Sequence, residues 1–127
     1  MDFAIHASDT VKPIYWVGSS RKDLAKLPGH VRRQCGFALY LAQLGMRAPH
    51  AKPLRGFGGA SVLEIVVEHE SNAFRAVYTV TFPQAVYVLH AFQKKSKSGH
   101  GTPRADIALV RQRLSAATEA HDRSTKG

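Results

Sequence analysis

The residues best suited to chemistry are basic and lie in the second half of the chain. Arg75, His90 and Lys94 fall on one face of predicted neighbouring strands. Cutting RNA without a metal requires removal of the 2′-hydroxyl proton, stabilisation of charge at the pentacoordinate phosphate and protonation of the leaving 5′-oxygen. Arginine and lysine can supply the charge, and histidine can move a proton. We therefore predict Arg75, Lys94 and His90 as catalytic residues.

Further side chains can hold the RNA around this face. Lys52 and Arg55 lie in a connector between predicted elements, and Lys95 and Lys97 follow the last predicted strand. Phe92 is an aromatic residue on the same predicted face, where it could stack on an unpaired base. These five residues are the predicted RNA-binding set.

Each of these residues also has a structural interpretation. Arg75 could pair with Glu68 across two strands, a contact worth roughly 0.2–1 kcal/mol. His90 could be hydrogen-bonded within a half-buried sheet, and the lysines after the last strand could be a solvated run. Phe92 could pack in the protein interior.

The sequence lacks the common metal and nucleotide motifs. It has no H-E-x-x-H, no Walker loop and no G-x-G-x-x-G, and the glycines of residues 56–59 are too few to predict a phosphate loop. Glu64 and Glu68 are two carboxylates without a third ligand. Cys35 is the single cysteine, which excludes an internal disulfide and predicts a buried structural thiol. We expect no metal and no other cofactor.

Charge points to a polyanionic partner. The 127 residues include 18 Lys and Arg against 9 Asp and Glu, a formal net charge of +9. Residues 24–63 and 71–105 contain no acidic residue. Such a balance is typical of proteins that bind nucleic acid, although a basic surface that only promotes solubility is the alternative. No apolar run approaches the roughly 20 residues of a membrane span, and no secretory signal is evident, so we expect a cytoplasmic protein.

Apolar spacing predicts an α+β fold in one domain over residues 1–118, followed by a flexible polar tail at 119–127. The sequence predicts a strand at 14–17, a short helix at 21–27 and a second helix at 30–44. A basic connector at 46–59 leads to three strands at 62–68, 74–81 and 85–92. Thr102 is predicted to cap a C-terminal helix that begins at Pro103 and carries an apolar stripe of Ile107, Val110, Leu114 and Ala117.

Two short turns make the three strands an antiparallel meander. Two-residue turns would pair residue 68 with 75 and residue 81 with 86. One face then carries Leu63, Ile65, Val67, Ala76, Tyr78, Val80, Tyr87, Leu89 and Ala91, which is the predicted core. The opposite face carries Glu64, Val66, Glu68, Arg75, Val77, Thr79, Val88, His90, Phe92 and Lys94. We expect this second face to be open to solvent and to bear the site.

Several strings resemble the phage-related HigB-like branch of the RelE/ParE toxin superfamily. They are WVGSSRKDL (16–24), FALYLAQLG (37–45), KP (52–53), EI (64–65), FRAVY (74–78) and VYVLHAFQKK (86–95). The resemblance covers about residues 12–117. It implies a small RelE-like α+β fold with an N-terminal strand and two helices, a three-stranded antiparallel meander and a C-terminal helix.

The resemblance also implies a function. It suggests the toxin of a type II toxin–antitoxin pair, a metal-independent endoribonuclease that cuts mRNA on the ribosome, inhibits translation and is neutralised by a helix-turn-helix antitoxin. By motif, Arg75 and Lys94 would contact the phosphate, and Lys52 matches a loop lysine. Relatives usually carry a basic residue where this chain has Val66. Two other hypotheses therefore remain open: a ParE-type toxin that binds DNA gyrase without nuclease activity, or an inactive phage-derived relative.

Overall fold

A computed structural model describes residues 11–94 and 101–126 as a five-stranded sheet between helices. The predicted α+β order of elements is confirmed, with one additional strand. The elements are β1 (Ile14–Trp16), α1 (Ser20–Ala25), α2 (Gly29–Gln43), β2 (Ala51–Pro53), β3 (Val62–His69), β4 (Asn72–Thr79), β5 (Val86–Lys94) and α3 (Arg104–Lys126).

The additional strand, β2, lies in the segment predicted to be a loop. The sheet order is β1-β5-β4-β3-β2, in which β1 runs parallel to β5 and the other neighbours are antiparallel. The strand β2 places Lys52 directly opposite Glu64 of β3. Three residues are too few to show an alternating pattern, so only the pairing with β3 identifies this strand.

The register of β3 with β4 differs from the predicted one by two residues. Glu68 lies opposite Ala73, and Val66 lies opposite Arg75. The turn residues are Glu70 and Ser71, which both have positive φ values, 50° and 69°. Because side chains alternate with a period of two, a shift of two residues leaves every side chain on its predicted face.

The predicted pairing of β4 with β5 is correct from Ala73 to Val77, where Val77 lies opposite His90. A β-bulge follows, and Tyr78 lies opposite Val88. The bulge inserts one residue and reverses the faces of the first half of β5. The prediction that Tyr87 and Leu89 share a face with Leu63 is therefore wrong, as is the placement of Val88 on the other face.

Helices cover both faces of the sheet, so the expectation of an open face is wrong. Helices α1 and α2 pack on one face, where the buried residues include Leu24, Val31, Cys35, Leu39, Leu63, Ile65, Tyr78 and Val88. Helix α3 packs on the other, with Val62, Val77, Tyr87, Leu89, Val110 and Ala117 buried. The apolar stripe of α3 and the apolar residues of this second face exclude water only when they pack together.

Helix α3 continues through Lys126, beyond the predicted end of the domain at residue 118. The ring of His121 stacks on Phe82 at a centroid distance of 4.3 Å, which holds this part of the helix against the sheet. The segment predicted to be a flexible tail is thus mostly helical. Within the described ranges, each helix lacks the length or the apolarity needed to cross a bilayer.

A glycine turn between β1 and α1 supports this packing. Gly18 has φ +57°, and a Cβ placed there would lie 2.8 Å from Arg113 Nε. The guanidinium of Arg113 donates to the Leu89 carbonyl (2.9 Å) and to Ser19 Oγ (3.0 Å), and so joins α3 to β5 and to this turn. We expect Gly18→Ala to lower the free energy of unfolding by about 1–2 kcal/mol, measured by urea denaturation.

The matched control is Gly36→Ala. Gly36 is exposed in the middle of α2, and a Cβ there meets nothing within 4 Å. Alanine should therefore raise stability by about 0.5–1 kcal/mol, because glycine is the poorer helix former. Equal effects of the two substitutions would contradict this account of Gly18.

Candidate functional site

The strand pairing brings several polar side chains to the face beneath α3. Lys52, Glu64, Val77 and His90 are directly opposite one another on β2, β3, β4 and β5. Directly opposed residues point to the same face of a sheet. Arg75 lies in the next row, between Val66 and Phe92 of its neighbouring strands.

A buried network connects Arg75, Glu64 and Thr102. Arg75 Nη1 donates to Glu64 Oε1 at 3.0 Å and to Thr102 Oγ1 at 3.2 Å. The Thr102 hydroxyl donates to Glu64 Oε2. The Arg75 and Glu64 side chains are only 7% and 3% exposed. The alternative pairing of Arg75 with Glu68 is wrong. Both glutamates lie one row away from Arg75, and its guanidinium pairs with Glu64.

This network also changes the role of Thr102. The sequence predicts Thr102 as the cap of the C-terminal helix, yet α3 begins at Arg104 and the Thr102 side chain bonds to Glu64 instead. The segment that enters α3 is thereby attached to the sheet. Arg75 Nε has no hydrogen-bond partner within residues 11–94 and 101–126.

His90 makes a second contact between the sheet and α3. Its Nε2 lies 2.7 Å from Asp106 Oδ1, and the imidazole is buried. Phe92 is half-buried and stacks on the His90 ring at 4.6 Å. Asp106 is in the first turn of α3, where a negative charge interacts favourably with the helix dipole. The structure thus places His90 and Phe92 against each other and under α3.

Removing the Asp106 carboxylate should detach the first turn of α3. We expect Asp106→Ala to lower the free energy of unfolding by about 1–3 kcal/mol, because it leaves a buried imidazole nitrogen without its partner. Chemical denaturation followed by circular dichroism measures this change. Glu119→Ala, at an exposed position of the same helix, should change stability by less than about 0.5 kcal/mol. An equal loss in both variants would refute the anchoring role.

A cleft of about 650 Å³ lies between β2, the loop after it and the start of α3. Lys52 and Arg55 are exposed and line it, together with the buried Glu64. The other lining residues are Pro53, Leu54, Gly101, Thr102 and Ile107. Two cations and one buried carboxylate therefore share one cleft.

The loop that carries Arg55 is attached to α3. Arg111 Nη2 donates to the Gly56 carbonyl at 2.9 Å, and its guanidinium lies 4.6 Å from the centre of the Phe57 ring. These contacts orient the loop without contributing a charge to the lining of the cleft. Arg111 is a supporting residue that the sequence analysis did not identify, since nothing in the local pattern relates residue 111 to residue 56.

The structure divides the predicted site residues into groups. Arg75, His90 and Phe92 are close together beneath α3, whereas Lys52 and Arg55 line the cleft. Lys94 is half-buried at the end of β5, opposite Ala73 and one row beyond Phe92. Lys95 and Lys97 lie outside the described residues. Glu64 and Thr102 also line the cleft, and neither was selected from the sequence as a site residue.

The described residues provide neither a metal site nor a nucleophilic thiol. Within the described ranges, no group of three or more His, Cys, Asp or Glu residues is placed to hold a metal ion. Burial raises the pKa of the Cys35 thiol to about 12, so the thiol stays protonated at neutral pH and is a poor nucleophile. This agrees with the predicted structural role of Cys35.

Comparisons with known proteins identify a matching family and a similar solved structure. The model of the family described as phage-derived protein Gp49-like matches residues 22–115. No curated protein matches the sequence. The solved toxin–antitoxin complex RelBE2 from Mycobacterium tuberculosis contains a chain with 18% sequence identity, and the alignment covers 68% of this chain and 95% of that chain. Its TM-score of 0.43 is too low to support a conclusion about function.

Proposed function

The chain belongs to the phage-derived Gp49-like family, and on this premise we propose that it is the toxin of a type II toxin–antitoxin pair. The proposed activity is ribosome-dependent cleavage of mRNA without a metal, which stops translation. The sequence resemblance described above further supports placing it in the HigB-like branch of the RelE/ParE superfamily.

The cleft between β2 and α3 is the observation that carries this proposal. Lys52 and Arg55 place two exposed cations beside the buried carboxylate of Glu64 in a space of about 650 Å³. Cations can stabilise the charge that develops on a phosphate, and a carboxylate can exchange a proton with a hydroxyl. The net charge of +9 favours association with an RNA surface.

The residues selected from the sequence then take different roles. Lys52 and Arg55 contact the phosphate in the cleft, and Lys94, at the end of β5, contacts RNA further along the chain. Lys95 and Lys97 keep their proposed role in RNA binding. Arg75 orients the Glu64 carboxylate, and His90 binds Asp106 at the start of α3. Neither Arg75 nor His90 is among the residues that line the cleft. Phe92, stacked on His90, packs rather than binds a base.

The proposed partners follow from the resemblance. A helix-turn-helix antitoxin would neutralise the toxin, and the ribosome would present the mRNA. With these two partners, the proposed activity is cytoplasmic.

Controlled expression tests this function. Induction should stop growth and produce new ends within translated mRNAs, which transcript-end mapping detects. A culture carrying the empty plasmid gives the background of ends. Growth arrest with intact transcripts would contradict the nuclease proposal.

A second candidate is a ParE-type inhibitor of DNA gyrase that lacks nuclease activity. Val66 favours it, because this half-buried residue opposite Arg75 replaces a charge that related toxins usually carry. In the same induced cultures, this candidate predicts intact mRNA and altered supercoiling of plasmid DNA. Gel electrophoresis with an intercalator distinguishes the two outcomes.

A further inference from the structure

We propose that Glu64 is the catalytic residue that accepts the 2′-hydroxyl proton of RNA bound in the cleft. This inference rests on the proposed nuclease function. It assigns the proton transfer to a residue that the sequence did not single out, and it gives Arg75 and Thr102 the role of positioning residues.

The hydrogen bonds of Glu64 leave room for a substrate hydroxyl. Its carboxylate lines the cleft and receives two hydrogen bonds, one on each oxygen, from Arg75 and Thr102. An ionised carboxylate offers about four lone-pair sites. About two acceptor sites therefore remain for a hydroxyl that enters the cleft.

The same two partners hold the carboxylate in place. Arg75 comes from the neighbouring strand β4 and Thr102 from the segment before α3, so two different parts of the fold determine the orientation of Glu64. Catalytic groups work best when surrounding hydrogen bonds fix them before the substrate binds. A purely structural ion pair has no need to lie on the wall of a cleft that two other cations line.

Lys52 is placed to act together with Glu64. The two residues are directly opposite in the pairing of β2 with β3, and both line the cleft. Lys52 is exposed, so its ammonium group can reach a phosphate oxygen bound beside Glu64.

Glu64 and Lys52 together supply the two proton transfers that the cleavage needs. As the 2′-oxygen forms a bond to phosphorus, its proton passes to the Glu64 carboxylate. The bond between phosphorus and the 5′-oxygen breaks with its electron pair on that oxygen, which takes a proton from the Lys52 ammonium. The products are a 2′,3′-cyclic phosphate and a 5′-hydroxyl, after which Glu64 releases its proton to water and Lys52 regains one.

His90 is less suitable for this step. Its Nε2 lies 2.7 Å from Asp106 Oδ1 and its ring stacks on Phe92, and the residues that line the cleft include Glu64 but not His90. It also lies two strands away from Glu64 in the sheet order. Its contacts suit the attachment of α3 better than proton transfer in the cleft.

The decisive comparison is Glu64→Gln against Glu68→Gln in the full chain. Glutamine keeps the size of the side chain and an acceptor oxygen, but it cannot take up the proton. We expect Glu64→Gln to reduce the cleavage rate of a programmed ribosome complex by about 10²–10⁴-fold, with ribosome binding unchanged within about twofold. Glu68 is exposed on the same strand, and Glu68→Gln should cleave at the parental rate. Parental cleavage by Glu64→Gln would overturn the assignment.

A second variant separates catalysis from folding. If Glu64→Gln does not fold, Thr102→Val tests the positioning of the carboxylate. It should reduce the rate at saturating ribosomes by about tenfold without weakening binding, and an unchanged rate would overturn the inference.

The substrate provides a test that separates this inference from the proposed function. An mRNA with a 2′-deoxynucleotide at the cut position should resist cleavage by the parent chain, while the all-ribose mRNA is cut. If neither mRNA is cut, the proposed nuclease function fails. If both are cut, the function stands and the role of Glu64 as acceptor of the 2′-hydroxyl proton fails.

Discussion

Replacing Arg75 with alanine should lower the free energy of unfolding by about 3–5 kcal/mol, because it leaves the Glu64 carboxylate buried without its partner. Glu64 is 2% exposed and Arg75 is 6% exposed, so the carboxylate has little contact with water to offset the loss of the Arg75 cation. Urea denaturation followed by circular dichroism measures the change. Arg33→Ala, at an exposed position of α2, is the matched control and should change stability by less than about 0.5 kcal/mol.

A double variant tests the physical reason for this loss. Replacing both charges, as in Arg75→Met with Glu64→Leu, removes the unpaired buried charge and should recover most of the stability. A double variant as unstable as Arg75→Ala would show that the loss arises from packing. The result also affects how activity is interpreted, since a loss of toxicity in Arg75→Ala can reflect unfolding and does not identify a catalytic group.

The proposed nuclease function predicts that replacing Lys52 and Arg55 together with alanine reduces mRNA cleavage by about 10²–10³-fold, because two cations no longer stabilise the charge that develops on the phosphate. Both side chains are exposed, so the fold and the unfolding midpoint should stay unchanged. The measurement is the rate of transcript cleavage after induction, with protein levels matched.

The control for this variant removes the same amount of positive charge from a different part of the surface. Arg21→Ala with Lys22→Ala also removes two exposed cations, but from α1, which packs on the other face of the sheet. It should cleave mRNA at nearly the parental rate. Equal losses in the two double variants would indicate that net charge matters and that the cleft does not.

Local patterns were sufficient to predict most of the elements and part of the site. Apolar residues at three- and four-residue steps predicted α2 and the stripe of α3, and alternation predicted β3, β4 and β5. The predicted register of β3 with β4 was wrong by two residues. Because side chains alternate with a period of two, every side chain kept its predicted face. Lys52 and Arg55 were selected from charge and resemblance as RNA-binding residues; both line the cleft, and their binding of RNA stays a prediction.

The sequence by itself determined the basic charge, the order of the principal elements and the presence of an apolar stripe on α3. Only the tertiary structure decided where that stripe packs, that a bulge in β5 moves Tyr87 and Leu89 beneath it, and that β2 sets Lys52 opposite Glu64. The physical reason is that the spacing of apolar residues shows which side of a helix or strand is buried. Which element covers that side depends on contacts between residues that are distant in the sequence. The Arg75–Glu64–Thr102 network joins residues that are 11 and 38 positions from Glu64. Arg75, which was expected on an open face, is buried in this network and pairs with a carboxylate.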